Sequence, residues 1–129
     1  MKKLPWKGLH HVAIFTRDME KSLRFYSEVL GFKVTERFYD EGEKAEIAFL
    51  DVGNTLLEII APLSGEGWSH SPSFHIALQV EDVDRTFAEL QAKGVPVILP
   101  LTETHGFRYA YFTGPMQEIL EIVEPPGKS

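Results

Sequence analysis

The chain has 129 residues, 43% hydrophobic and 25% charged, a composition that suits one compact domain with a proper core. Its net charge of −6 disfavours nucleic acid as a partner, because phosphate binding needs clustered Lys and Arg and no such patch occurs. With no cysteine, disulfides, thiolate metal sites and a Cys nucleophile are excluded.

The start, MKKLPWKGLH, carries lysines but no apolar stretch of the secretory type. No run anywhere approaches the ~20 apolar residues of a membrane span, so no membrane association is expected and the expected location is the cytoplasm. Residues 9–16 read as an apolar strand. A helix follows, with Asp18 as N-cap, Gly31 just past the C-terminus, and Met19, Leu23, Tyr26 and Leu30 at helical spacing. Three strands are expected over 32–39, 44–52 and 54–61, and APLSGEGWSHSPS (61–73) reads as a linker. The same order then returns. A strand over 73–80 leads to a helix capped by Asp82 and closed by Gly94, with Val83, Phe87 and Leu90 on one face. Strands over 95–99, 106–113 and 117–124 complete the chain.

The return is a repeat of sequence as well as of pattern. HVAIFTRD (11–18) aligns with HIALQVED (75–82), Gly31 with Gly94, and LLEIIAP (56–62) with ILEIVEP (119–125). Three matches in order identify two copies of one unit, at about 8–62 and 73–125, within a single domain spanning 1–129. The fold class is α+β, with βαβββ order twice.

Each copy buries a carboxylate in an aliphatic strand, Glu58 in one and Glu121 in the other. An unpaired anion there costs several kcal/mol, so something must compensate it. Side chains alternate along a strand, which puts His11, Ala13 and Phe15 on one face and His75, Ala77 and Gln79 on its counterpart. Glu46, Ala48 and Leu50 share a face as well. Three times a titratable residue precedes alanine by two positions, the spacing that leaves room beside a polar group. Twofold symmetry of the repeat would bring His11, Glu58, His75 and Glu121 to equivalent places. Two imidazoles and two carboxylates suit one divalent ion (Ni, Co, Mn, Fe or Zn), which would neutralise the buried acids. His10 and His70 read as surface or linker residues, and His105 is left unassigned.

These stretches resemble the vicinal oxygen chelate superfamily, which includes glyoxalase I, methylmalonyl-CoA epimerase, extradiol dioxygenases and the fosfomycin and bleomycin resistance proteins. The resemblance runs from GLHHVAIFTRDMEKSLRFYSEVLGF (8–32) through FHIALQVEDVD (74–84) to GPMQEILEIVE (114–124). It implies a curved eight-stranded sheet, built from paired βαβββ modules, around a cavity. It also implies a homodimer and metal ligands at His11, Glu58, His75 and Glu121. A full set of four is similar to glyoxalase I and methylmalonyl-CoA epimerase, both of which move a proton next to a carbonyl.

KAEIAFLDVGNTLLEIIAPLS (44–64) looks more like the epimerase, whose catalytic base falls on Glu46; Glu121, a ligand able to dissociate, is the alternative. The segment 61–73 is shorter than the epimerase's. Arg37 and Arg108 are the candidates for an anionic substrate group. The expected activity is a metal-dependent lyase or isomerase acting on a small carbonyl or thioester substrate. The rivals are a small-molecule binding protein of the bleomycin-resistance type and an Fe(II) dioxygenase.

Overall fold

The computed structural model describes residues 7, 9–42, 44–64, 75–104 and 106–127, which group into two compact units, Met1–Trp68 and Ser69–Ser129. The first runs β1 (His11–Phe15), α1 (Met19–Leu23), β2 (Lys33–Asp40), β3 (Ala45–Asp51) and β4 (Leu56–Pro62). The second runs β5 (His75–Gln79), α2 (Val83–Ala92), β6 (Val97–Thr104), β7 (Phe107–Thr113) and β8 (Ile119–Glu124). The βαβββ order holds in both. The eight strands form two four-stranded sheets, β1-β4-β3-β2 and β5-β8-β7-β6, rather than one continuous sheet. The first strand of each unit pairs in parallel with the last strand of its own unit, and the other pairs are antiparallel.

Local chemistry starts and stops the helices where expected. Asp18 accepts the Lys21 N–H at 3.0 Å and Asp82 accepts that of Arg85 at 3.1 Å, satisfying donors of the first turn. Gly31 and Gly94 follow the helical segments at φ +82° and +80°, the left-handed conformation that glycine adopts without strain. The first helix differs in one respect: after Leu23 it widens into a π-helical segment, Arg24–Val29, with the Leu30 N–H reaching the Phe25 carbonyl at 3.0 Å.

Ile14, Leu23, Tyr26, Ala48, Leu50, Leu57 and Ile59 make much of the buried core of the first unit, and Val83, Leu90, Ala110, Phe112, Leu120 and Ile122 that of the second. Burying each large aliphatic or aromatic side chain contributes ~1.5–3 kcal/mol. In the first unit Thr16 and Ser22, both fully buried, close the turn between β1 and α1. The Ser22 hydroxyl donates to Thr16 Oγ1 at 2.8 Å, and the Asp18 N–H donates to the same oxygen at 3.1 Å.

Several strand boundaries differ from those expected, β6 most of all. β6 runs through Pro100 to Thr104, beyond the expected end at 99; it is an edge strand with register shifts, where a missing N–H is tolerated. β4 extends to Pro62, inside the stretch read as linker. The rest of that stretch from residue 65, with His70, lies outside the described residues, as does His105. Among the described residues no helix is long and apolar enough to cross a membrane.

Candidate metal centre

In the first unit β1 pairs with β4 so that Ala13 stands opposite Glu58 and His11 opposite Leu56. The small methyl of Ala13 leaves space over which the carboxylate leans toward the imidazole, and His11 Nε2 lies 3.3 Å from Glu58 Oε1. The second unit repeats this arrangement. Ala77 stands opposite Glu121, His75 opposite Ile119, and His75 Nε2 lies 2.9 Å from Glu121 Oε1. The two carboxylate side chains are 15% and 14% exposed, the two imidazoles 39% and 38%. Each sheet therefore presents one largely desolvated carboxylate beside one accessible imidazole, on matching positions of matching strands.

An aromatic ring sits beside each pair. Phe49, opposite Glu58 in the β3–β4 ladder, meets His11 edge-on at 5.8 Å, and Phe38 stacks on Phe49 at 6.3 Å. Tyr111 holds the equivalent place opposite Glu121, with its ring 5.5 Å from His75 and 5.9 Å from Tyr109. Burial, and then the nearby Glu121 carboxylate, push the Tyr111 phenol above its ordinary range. It stays a proton donor at neutral pH. Nothing in the sequence pattern singled out Tyr111; its significance comes from being opposite Glu121 across the ladder.

The donor set fits a divalent metal. Imidazole nitrogen and carboxylate oxygen are ligands for Ni, Co, Mn, Fe and Zn alike, and a cation would compensate two acids that have given up most of their water. Among the described residues no three His, Asp or Glu side chains gather at metal-ligating spacing. Each unit brings its own pair together.

Glu46 is not on the face that carries Glu58. The β3–β4 register puts Phe49 opposite Glu58 and Glu46 opposite Ala61, so Glu46 shares the other face with Ala48 and Leu50. Its carboxylate is bound by the Arg37 guanidinium, which also grips Glu20 on α1. That places it on the helix side. Glu46, expected as the catalytic base, therefore does not share a face with Glu58. Alternation says which residues of one strand go together, whereas the register decides which residues of the next strand join them.

Arg108 occupies the position equivalent to Glu46: it lies three residues before Tyr111, as Glu46 does before Phe49. It reaches Asp84 on α2 through two bonds at 2.5 and 2.8 Å, with Glu103 at 3.9 Å. In both units this corner ties the first turn of the helix to the sheet. The hydrogen bonds that Arg37 donates to Glu46 and then to Glu20 raise its pKa, and those that Arg108 donates to Asp84 raise that of Arg108. Both arginines, the candidates for a substrate anion, are engaged in ion pairs with carboxylates of their own unit.

His10, read as a surface residue, is exposed, and its ring contact was not foreseen; Glu118 was not singled out at all. His10 lies with its Nδ1 2.8 Å from Nδ1 of His11. Glu118 is 3% exposed and accepts the Met116 N–H at 2.7 Å, forming the turn that leads into β8 and Glu121.

A family model described as the Glyoxalase/Bleomycin resistance protein/Dioxygenase superfamily matches residues 8–122. The chain is 32% identical over 123 residues to the uncharacterized protein YwbC of Bacillus subtilis, covering 92% of this chain and 98% of that one. It is 28% identical over 99 residues to the mitochondrial methylmalonyl-CoA epimerase of Homo sapiens, covering 67% of this chain and only 54% of the epimerase. Among solved structures, Leishmania major glyoxalase I superposes with a TM-score of 0.76 at 27% identity, covering 92% of this chain and 87% of that one. A glyoxalase family protein from Enterococcus faecalis superposes with a TM-score of 0.78 at 26% identity, covering 94% and 100%.

Proposed function

The chain belongs to the Glyoxalase/Bleomycin resistance protein/Dioxygenase superfamily, and on that premise we propose that it is a metal-dependent lyase or isomerase that moves a proton α to a carbonyl. Members of the superfamily commonly bind a divalent metal. The reading rests chiefly on the duplicated His–Glu pair, His11–Glu58 and His75–Glu121, set at equivalent registers beside alanine. His11, Glu58, His75 and Glu121 are the metal ligands in this reading. When bound, the metal supplies Lewis-acid stabilisation of the negative charge that builds on a carbonyl oxygen.

The protein's own groups do the rest. Glu121, largely desolvated and 2.9 Å from His75, is the carboxylate that takes the proton. Tyr111, beside His75 and held protonated, donates a hydrogen bond to a substrate oxygen. The Phe49–Phe38 shelf next to His11 takes the apolar part of the substrate. Glu46 is assigned to the ion pair that fastens α1 to the sheet, and not to proton transfer.

The test is incorporation of deuterium from heavy water at the α-carbon, screened over methylglyoxal–thiol adducts and short acyl-CoA esters with Ni, Co, Mn and Zn in turn. Exchange that requires both protein and metal is expected. Metal-free turnover, or activity strictly dependent on oxygen, would sink the assignment, the latter in favour of a dioxygenase. A protein that binds such compounds but retains no metal would be a binding protein of the resistance type.

Metal should also stabilise the fold, since a ligand bound only by the folded state adds stability: about 4 kcal/mol when present at roughly a thousand times its dissociation constant. Chelation with EDTA is therefore expected to lower the unfolding midpoint by on the order of 10 °C. An unchanged midpoint, in protein shown beforehand to hold metal, would mean that Glu58 and Glu121 do not depend on the ion.

A further inference from the structure

His10 has no counterpart in the internal repeat, yet both its ring and its backbone are held. Its Nδ1 lies 2.8 Å from Nδ1 of His11, and the two rings meet edge to face at 5.1 Å. Its carbonyl accepts the Leu56 N–H at 3.3 Å and the Thr55 hydroxyl at 3.1 Å. The residue is thereby fastened to the start of β4, just before Glu58. The other nitrogen of His11, Nε2, is the one aimed at Glu58, and Phe49 closes on the same ring.

Two imidazole nitrogens at hydrogen-bond distance share one proton, so one ring donates and the other accepts. Which ring donates decides what His11 can do. If His11 donates from Nδ1, its Nε2 carries a lone pair and can bind a metal. If His10 donates, His11 carries its proton on Nε2, facing the Glu58 carboxylate. Metal-ligating histidines characteristically give their second N–H to a fixed acceptor, which sets the tautomer, holds the ring plane and raises the donor strength of the ligating nitrogen.

Resting on the reading that His11 is a metal ligand, we propose that His10 is its positioning residue, accepting the His11 Nδ1–H and so holding Nε2 free as the donor. The usual acceptor is a carboxylate or a backbone carbonyl, which can only accept. An imidazole can also donate, so the same contact serves the metal-free protein with the roles reversed. The exchange balances: the shared proton passes from His10 to His11 within the bond, His11 Nε2 releases its proton to water, and His10 Nε2 takes one up. No ring has to leave its place.

The experiment uses the full chain with 15N-labelled histidine, zinc as the probe, and the His10→Ala and His10→Gln variants. Ring nitrogen shifts of His11 report its tautomer with and without zinc, a competing chelator reports zinc affinity, and the unfolding midpoint is read on metal-free protein. The wild type is expected to show the Nδ1–H form of His11 when loaded. His10→Ala should weaken zinc binding ~10–100-fold while the metal-free midpoint stays where it was. His10→Gln, which can still accept, should recover most of the loss. If His10→Ala binds zinc as tightly as the wild type, or if affinity falls only together with the metal-free midpoint, the positioning role is overturned while the four-ligand reading stands. A wild type that binds no zinc, nickel, cobalt or manganese would instead overturn that reading, and this role with it.

Discussion

Replacing Glu121 by Gln should lower the rate of α-deuterium exchange by ~10²–10⁴-fold, the usual worth of a general base. The amide keeps the shape of the side chain and an oxygen donor but loses the basic carboxylate. Metal content measured on the same sample separates loss of the base from loss of a ligand. The paired variant, Glu46→Gln, should exchange within a few-fold of the wild type. Its carboxylate accepts from Arg37, which also donates to Glu20 on α1; with Arg37 39% and Glu46 33% exposed, this partly solvated ion-pair group contributes modestly, ~0–1 kcal/mol per pair. The opposite pattern, with Glu46→Gln inactive but metal-loaded and Glu121→Gln active, would return the base to the helix side of the sheet.

The second large effect is one of stability. A Cβ added at Gly114 would lie 2.5 Å from the Glu118 carboxyl carbon and 2.7 and 2.8 Å from its two oxygens. Glu118 has little freedom to retreat, because it is 3% exposed and its Oε1 accepts the Met116 N–H. The turn is closed by the Gly114 N–H to the Glu118 carbonyl at 2.9 Å and the Gln117 N–H to the Gly114 carbonyl at 3.1 Å.

Gly114→Ala therefore either forces strain into this turn or expels the carboxylate and orphans a buried N–H. Overpacking costs ~1–3 kcal/mol and an unsatisfied buried group about the same, so a loss of roughly 3 kcal/mol is expected in denaturant unfolding. Because the turn leads directly into β8, metal affinity should fall as well. A near-neutral Gly114→Ala would show that Glu118 does not hold the turn. The double variant Gly114→Ala, Glu118→Ala should recover the steric part of the loss but not the lost hydrogen bond.

Most of the fold was legible because the repeat made it so. Caps such as Asp18 and Asp82, and the glycines after each helix, act through their immediate neighbours, so a local reading finds them. His11, Glu58, His75 and Glu121 stood out because the same unusual choice, a carboxylate in an aliphatic strand and a histidine two residues before alanine, was made twice. What was hidden depends on pairing between distant strands. Glu46 follows the same residue-then-alanine pattern, but the pairing of β3 with β4 turns it toward the helix, where Ala48 serves close packing. Tyr111 and Phe49 matter because they stand opposite the two glutamates. His10 matters through one ring contact, and Glu118 through a turn in which Gln117 adopts φ +65°. The π-helical segment after Leu23 has no marker in the spacing of Met19, Leu23 and Tyr26, which serves either helix.

The claim on which the rest depends is that His11, Glu58, His75 and Glu121 are metal ligands. The direct measurement is metal content per chain, by elemental analysis after reconstitution with Ni, Co, Mn or Zn and desalting. It is made on the wild type and on two variants, one losing its pair in the first unit (His11→Ala, Glu58→Ala) and one losing its pair in the second (His75→Ala, Glu121→Ala). The account predicts about one metal per chain in the wild type, the stoichiometry of a single site with four protein ligands, and none in either variant. Retention by either variant, or a wild type that holds no metal, would contradict it.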